Sequence, residues 1–538
     1  MRDAYSVEKI RAAEAALMAK LPEGTLMQRA AAGLASLCAG LLRSSPDVGG
    51  VYGARVVVLA GSGDNGGDAL YAGATLARRG AEVTAILAGP RAHPGGVAAL
   101  RAAGGKFLAS NHNASDRAAS DRAASDRAAS DNAASDHNAS AAVRHAIGHA
   151  DLILDGLLGI GGKGGLREPY ATLAKYAANS AGVTVAVDLP SGIDADTGAV
   201  DGPCVVADVT VSFGGLKPGL LVDPGARNAG VVELVDIGLG PYLPRPDVRA
   251  PALTDIADLV PRPGPESDKY RRGVIGLLAG SDRYTGAALL ATGGAVHGGA
   301  GMVRLVTGPK AADMVRPRWP EVVITPLSPG LEFPEAVGRV QAWVAGPGMG
   351  VDDGAAERLA AVLRTSLPVL VDADGLTLLS RRPDLLPRRA PTLLTPHAGE
   401  LGRLLGADPA DVEARRLFYA REAARRFGAC VLLKGSTTVV AQPEPAPALV
   451  NTTGTPWLAT AGTGDVLSGL AGALLAQGLL PPQAAITAAY LHGLAARLGA
   501  GGDAAGANMN AGPEAVAGEA PIGASDVMDA LPRAFRAL

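Results

Sequence analysis

"RVVVLAGSGDNGGDALYAGATLARRG", Arg55 to Gly80, decides how the first half of this chain is read. A strand-like apolar run leads into Gly61, Gly63 and Gly66, which have the G-x-G-x-x-G spacing, and a helix-like segment follows. Glycines there let the backbone approach a phosphate, and the following helix offers unpaired N–H groups and a positive dipole end. A dinucleotide-binding fingerprint also needs a carboxylate for the ribose hydroxyls at the far end of the next strand, roughly 20 residues on. That strand, "EVTAIL", runs into Ala88, Gly89, Pro90 and Arg91, and its acid, Glu82, stands at the near end. Asn65 and Asp68 also crowd a turn that a plain pyrophosphate site keeps small. Phosphate-loop geometry is therefore expected, and the standard NAD-linked oxidoreductase becomes a rival reading.

Short β-branched runs alternate with Ala/Leu-rich stretches on both sides of this segment: "VTAIL", "DLILDGLLG", "VTVAVDLP", "DVTVSF" and "VVELVDIGL". Such alternation predicts a mainly parallel sheet covered by helices. It breaks where prolines at 241, 244, 246, 251, 261, 263 and 265 remove backbone donors and stiffen the chain. A second α/β series follows: "VIGLLAG", "GMVRLVTG", "AWVAGPGMG", "PVLVDADGL", "PTLLTPHAGE" and "CVLLKGSTTVV". Two domains are expected, 1–241 and 250–538, the first a Rossmann-like three-layer α/β domain. Within the first, the five-residue repeat at 114–140 advances about 140° per unit around a helix, so no apolar stripe forms and a solvated insertion is expected.

The 538 residues carry a net charge of -3 with 19% charged side chains, so no basic field attracts nucleic acid or an anionic membrane. Small molecules are the expected partners. Cys38, Cys204 and Cys430 make no C-x-x-C pair and read as reduced core residues of a cytoplasmic protein. No segment reads as a signal peptide or as a membrane span of about 20 apolar residues. With 4% aromatics and 72 glycines, the core must be closely packed from Ala, Val and Leu.

Two further strands open into polar, glycine-containing loops, "LILDGLLGIGGKGGLREPY" and "VAVDLPSGIDADTG". Asn65 with Asp68, Asp155, and Asp188 with Ser191 thus reach one rim, at the carboxyl ends of the strands where open sheets bind ligands. Each Asp taken alone could equally cap a turn.

"GSGDNGGDALYAG", "DGLLGIGGKGGLREPY", "VDLPSGIDADTG" and "SFGGLKPGLL", in this order, resemble the NAD(P)H-hydrate epimerase family. The resemblance implies a potassium ion on Asn65, Asp155 and Ser191. It puts the hydrated nucleotide on Asp64, Asn65, Gly66, Gly67 and Asp68, on Gly159, Ile160, Gly161, Gly162, Lys163, Gly164 and Gly165, and against Tyr170 and Asp188. Oxygen donors suit a hard monovalent cation. The family's usual first Asn is Asp64 here, and a side chain carrying that extra charge is expected to face solvent. Asp188 is the expected acid/base group at C6 of the hydrated nicotinamide ring, because desolvation moves a carboxyl toward the working pH. Lys217 reads either as a salt bridge closing the crevice or as a catalytic group.

In "NTTGTPWLATAGTGDVLSGLAGALLAQGL", Gly462 and Gly464 bare the start of a helix so that its N–H groups converge on a transferring phosphoryl group, with Asp465 beside them as a base. The segment resembles the ribokinase-like superfamily. "RRGVIGLLAGS", "YTGAALLA", "GPGMG", "LTPHAGE" and "LLKGSTTVV" narrow the resemblance to the ADP-dependent NAD(P)H-hydrate dehydratase family. It implies that Lys434, Gly435, Ser436, Thr437, Thr438 and Gly464 hold the AMP part, and that Ala288, Gly348, His397 and Asp465 meet the hydrate. Ala287 fits nearly as well as Ala288. Glu400 either holds Mg2+ through water or complements the helix dipole.

The expectation is a bifunctional repair enzyme acting on NADHX and NADPHX with K+, Mg2+ and ADP, ATP being the other candidate donor. A homo-oligomer is expected. Besides the oxidoreductase, the rivals are a hydroxymethylpyrimidine-type kinase for the C-terminal half and a non-catalytic nucleotide-binding module for the N-terminal half.

Overall fold

The computed structural model describes residues 1–89, 91–110, 140–328, 331–502 and 518–538, and the pentad repeat up to 139 lies outside them. The chain divides into two compact units, Ala4–Pro246 and Asp247–Leu538, the second also holding Met1–Asp3.

In the first unit the strands lie in the order Lys106–Ala109, Glu82–Leu87, Arg55–Ala60, Leu152–Gly156, Val183–Val187, Val209–Phe213 and Val231–Val235. All adjacent pairs are parallel. Strand order reverses between Arg55–Ala60 and Leu152–Gly156, which makes their carboxyl ends the switch-point crevice. The central strands are buried on both faces, in keeping with their Val/Ile/Leu-rich sequences. Lys106–Ala109 escaped the sequence reading because "KFLA" is short and only half-buried at the sheet edge.

Contrary to the expectation that no segment is long and apolar enough for a membrane, the helix Thr25–Ser44 passes on length and composition. Its Leu34, Cys38 and Leu42, four residues apart, are buried in the core of this unit, and Arg29 donates to the Ile237 carbonyl at 2.8 Å. Average apolarity conceals that periodicity, which is what identifies a core-packing helix.

In the second unit parallel strands run in the order Val323–Pro326, Met302–Thr307, Val274–Leu278, Ala342–Ala345, Val369–Val371, Thr392–Leu394 and Cys430–Leu433. Thr438–Ala441 and Ala448–Asn451 continue antiparallel, and Val248–Ala250 and Arg2–Ala4 complete the edge. "CVLLKGSTTVV", quoted above within the second α/β series, is a hairpin whose tip is the K-G-S-T segment.

Glycines set the packing of the helix that carries Asp465. A Cβ on Gly469 would stand 2.0 Å from the Ala291 carbonyl oxygen, and one on Gly294 would stand 2.2 Å from that of Val466. Helices Thr285–His297 and Thr463–Ala476 therefore touch backbone to backbone.

Candidate active sites

At the first switch point a Cβ on Gly61 would lie 1.9 Å from the Leu157 oxygen, and one on Gly66 2.5 Å from the Gly61 oxygen. A Cβ on Gly63 would meet nothing within 4 Å. Packing demands the first and third glycines, while the second borders open space. Where a ribose-binding acid would stand, Gly89 presses so closely on Ser62 that a Cβ would be 2.0 Å from Oγ. The fingerprint keeps its backbone and lacks its carboxylate.

The structure brings Asn65, Asp155 and Ser191 together around Leu158. Asn65 Nδ2 donates to the Leu158 carbonyl at 3.1 Å. Ser191 donates its hydroxyl to Asp155 Oδ1 at 2.7 Å and its N–H to Oδ2 at 2.8 Å, and its Oγ accepts the Leu158 N–H at 2.8 Å. Burial pushes the Asp155 carboxyl up to about 6, against the pull of the Ser191 bonds. A carboxylate, a hydroxyl and a carbonyl linked by hydrogen bonds, with the Asn65 amide on the same carbonyl, have the oxygen-donor chemistry that suits a hard monovalent cation.

Asp188 ends its strand with φ +67°, a left-handed conformation, and accepts the Phe213 N–H at 3.1 Å. Its carboxylate is ion-paired with Lys217, whose side chain is only 1% exposed and donates to Ser212 Oγ at 3.0 Å. Of the two roles left open for Lys217, the geometry displays the salt bridge. Asp68 is buried and its Oδ1 has no hydrogen-bond partner. Burial first, then Asp188, Asp64 and Glu14, hold its carboxyl well above the usual range. Asp64 is exposed, as expected, while Gly66 and Gly67 are buried. In the loop from Gly159 to Gly165, Gly159 lies against Asn65, Ile160 packs on the core, and Gly161, Lys163 and Gly164 are exposed. Gly162 lies against Leu158 and Gly165 against Gly202. Tyr170 opens the helix Tyr170–Ala177 and packs beside Leu166 and Ala174.

In the second unit Gly462 caps the helix Thr463–Ala476 with φ +90°, and Asp465 lies in its first turn. A Cβ on Gly464 would be 3.4 Å from Lys434 Nζ, so the K-G hairpin tip meets the Gly-Thr-Gly-Asp turn. Lys434 donates to Asp372 Oδ1 at 2.7 Å, and Asp372 Oδ2 accepts the Ser468 hydroxyl at 2.7 Å. Burial, then Asp372, push Asp465 up to about 7, with Lys434 opposing. Burial pulls Lys434 down, but Asp372, Glu400 and Asp465 together leave it above the usual lysine value.

Glu400 accepts the His397 N–H at 2.8 Å in a capping box and lies 3.8 Å from Lys434, so it is engaged with the helix start and the lysine. The His397 ring is 58% exposed, its Nδ1 accepting the Gly399 N–H at 3.0 Å. Ala288 is fully buried in the core, whereas a Cβ on Gly348 would be 2.7 Å from Cβ of Ala287. The structure therefore does not bring the Ala288 side chain to the rim, and Ala287 is the neighbour of Gly348. In the hairpin tip Gly435 and Ser436 are exposed, Thr437 is buried and Thr438 starts the return strand.

Three residues escaped the sequence reading. Asp372 obeys the same strand-end rule as Asp155 and Asp188, and "VDADG" could have yielded it. Arg416, buried, lies so close to Gly435 that a Cβ there would be 1.9 Å from its Nη1, and it donates to the Lys434 carbonyl at 3.3 Å. His492 is buried on the helix Pro481–Gly499, with Nε2 2.9 Å from the Thr463 carbonyl. Burial brings its pKa down to about 4, so a neutral ring donates to the peptide that precedes Gly464. An isolated His in an apolar helix carries no local signal for that bond.

Residues 23–219 match the family model for the YjeF-related protein N-terminus, and residues 275–511 match the NAD(P)H-hydrate dehydratase model. The bifunctional NAD(P)H-hydrate repair enzyme of Mycobacterium leprae (strain TN) is 45% identical over 540 residues, covering 100% of both chains. That of Mycobacterium tuberculosis (strain CDC 1551 / Oshkosh) is 47% identical, over 90% of this chain and 91% of its own. A crystal structure of the ADP/ATP-dependent NAD(P)H-hydrate dehydratase from Bacillus subtilis, co-crystallised with ATP and Mg2+, is 30% identical with a TM-score of 0.46, covering 54% of this chain and 98% of that one. With relatives aligned along the whole length and a domain model on each unit, the chain belongs to the family of bifunctional NAD(P)H-hydrate repair enzymes.

Proposed function

We propose that the first unit interconverts the R and S hydrates of NADH and NADPH on the rim formed by Asn65, Asp68, Asp155 and Asp188. The second unit then restores the coenzyme from the S form at the expense of ADP. The observation that carries the dehydratase reading is the junction of Lys434 with the Gly464 backbone beside Asp465, whose carboxyl burial and Asp372 push up to about 7.

Asp465, ionised, takes the proton from the ring hydroxyl, whose oxygen attacks the β-phosphorus of ADP as the bond to AMP breaks. N–H groups at the helix start and the Lys434 ammonium meet the charge that develops on the phosphoryl oxygens. Release of phosphate from C6, with a proton from C5, leaves the dihydropyridine. Gly435, Ser436, Thr437 and Thr438 hold the AMP part, and His397, Gly348 and Ala287 face the hydrate. Asp372 and Glu400 are already engaged by Lys434, Ser468 and the His397 N–H, so magnesium would arrive on the nucleotide's phosphates instead of occupying a cage built by this chain.

In the first unit Asn65, Asp155 and Ser191 would hold potassium, which supplies fixed positive charge beside the buried Asp155 carboxylate. Asp68, keeping its proton, adds a donor instead of a second charge near a phosphate-bearing ligand. Asp188 is the proton-transfer group at C6.

Recovery of NADH absorbance from the S hydrate tests the dehydratase, with ADP and ATP compared and Asp465→Asn as control. A racemic hydrate should be consumed completely by the intact chain and should stall near half with Asp188→Ala, after subtraction of spontaneous epimerisation. A stable phosphorylated pyrimidine alcohol, with no NADH recovered, would sink the reading in favour of a kinase.

A further inference from the structure

The helix Val7–Met18 carries none of the motifs, and the N-terminal family match begins only at residue 23. Named contacts nevertheless fasten it to the epimerase rim. Tyr5 N–H donates to the Leu216 carbonyl at 2.8 Å, and Ala4 forms a parallel bridge with Leu216. Val7 N–H donates to Asp196 Oδ1 at 2.7 Å, and a Cβ on Gly215 would stand 2.8 Å from Ile10 Cδ1. Gly215 and Leu216 immediately precede Lys217, so the segment is anchored one residue away from the ammonium that grips Asp188.

Ile10, Ala13 and Leu17 enter the core. Arg11 and Glu14 each follow a core residue by one position and are therefore rotated about 100° to the adjoining side of the helix. On that side Arg11 Nη2 is 3.3 Å from where a Cβ of Gly161 would be, beside the glycine-rich loop. Glu14 is half-buried and feels Asp188, Lys217, Arg11 and Asp64. Burial first, then Asp188, raises its carboxyl above the usual range, with Lys217 and Arg11 opposing. From the other elements Asp68 faces it too.

We propose that the helix Val7–Met18 is a wall of the epimerase site and that Glu14 is its second proton-transfer group, acting on the ring hydroxyl opposite Asp188. This rests on the reading of Asp188 given above. Protonated Glu14 gives its proton to the C6 hydroxyl. The C6–O bond breaks, its electron pair leaves with water, and the ring nitrogen lone pair forms the C6–N1 double bond of an iminium. Water then adds to the other face of C6 and yields its proton to Asp188, reopening the nitrogen lone pair. Exchange with solvent returns the proton to Glu14, so the net change is inversion alone. The Lys217 ammonium holds Asp188 in place for this role, while burial first, then the Asp188 carboxylate, favours the protonated form of Glu14.

The test uses the full chain, measuring epimerisation of the R hydrate and, on the same sample, dehydration of the S hydrate. Glu14→Gln should lose about 100-fold in epimerase kcat, the scale of general acid catalysis, with KM and the dehydratase rate unchanged, and Glu14→Asp should restore part of it. The wild-type epimerase rate should fall as pH rises through the Glu14 titration, and that limb should flatten in Glu14→Gln. Wild-type epimerase rates in Glu14→Gln beside an inactive Asp188→Asn overturn the proposal alone. Wild-type rates in both variants overturn the Asp188 reading with it. A parallel loss of epimerase and dehydratase with a lowered Tm, or loss without change in the pH limb, makes Glu14 structural and also overturns it.

Discussion

Asp188 and Asp372 each stand at the end of a buried parallel strand, and each grips a lysine that arrives from another part of the same sheet, Lys217 or Lys434. Asp188 itself has φ +67°, and Ala373, next to Asp372, has φ +48°; these are the non-glycine residues with positive φ among the described residues. Such a conformation costs about 1–3 kcal/mol, so strain is kept where a carboxylate has to be turned into a crevice. The lysines differ in reach. Lys217 is 1% exposed and committed to Asp188, whereas Lys434 is 19% exposed and lies beside the bare Gly464 backbone. The same strand-end pair is thus a closed clamp in one unit and, in the other, a more open pair whose cation borders a bare helix start.

The comparison breaks most directly at Asp465. Asp465→Asn should lower the dehydratase rate by about 1000-fold, read as NADH absorbance, and leave epimerisation untouched. Next in size is the buried clamp. Lys217→Met leaves Asp188 buried without its lysine and should cost about 3–5 kcal/mol in denaturant unfolding of the first unit, most of which Asp188→Asn should recover in the double variant. Lys434→Met should cost less stability, because its pair is more open, and should instead raise the KM for ADP. Loss of equal stability in both would remove the distinction drawn above.

Smaller still is the effect expected at His492, which is buried against the Thr463 carbonyl. His492→Leu should lower dehydratase kcat about 10-fold with little change in KM, while His492→Gln, which keeps a donor near Nε2, should stay within about 3-fold. The smallest effect is on pH. With Asp465 as the proposed base, the dehydratase rate should climb to about pH 7 and level off. Lys434 opposes the upward shift, and Lys434→Gln should move that limb to higher pH by about half a unit. Stability has the opposite sign. Folded Asp465 binds its proton more tightly than the unfolded chain does, so this contribution is present below the ordinary Asp range and is lost as pH rises through about 7. Asp465→Asn should therefore raise Tm at pH 8 by about 2–4 °C.

Strand ends and glycine turns were legible because each needs a local residue type: Gly61 and Gly66 answer a carbonyl contact, and Asp155 and Asp188 follow apolar runs directly. The missed partners are long-range. Glu14 comes within electrostatic range of Asp188 on a segment tied to 215–216 through residues 4–10, and His492 reaches Thr463 across two helices. The choice of Ala288 over Ala287 turned on one position of helix phase, which "TGAALLATGG" does not fix since the segment is apolar on all sides. The hairpin in "CVLLKGSTTVV" was hidden by apolar runs on both sides of a turn with a single glycine.

The dovetailed glycines of Thr285–His297 and Thr463–Ala476 carry a lesson for anyone redesigning the dehydratase. With no room for one methyl group at Gly294 or Gly469, these two rods cannot slide past each other to admit a bulkier coenzyme. Breadth of substrate has to be sought where side chains are exposed, as at Ser436 and His397, and never from behind the Gly-Thr-Gly-Asp turn.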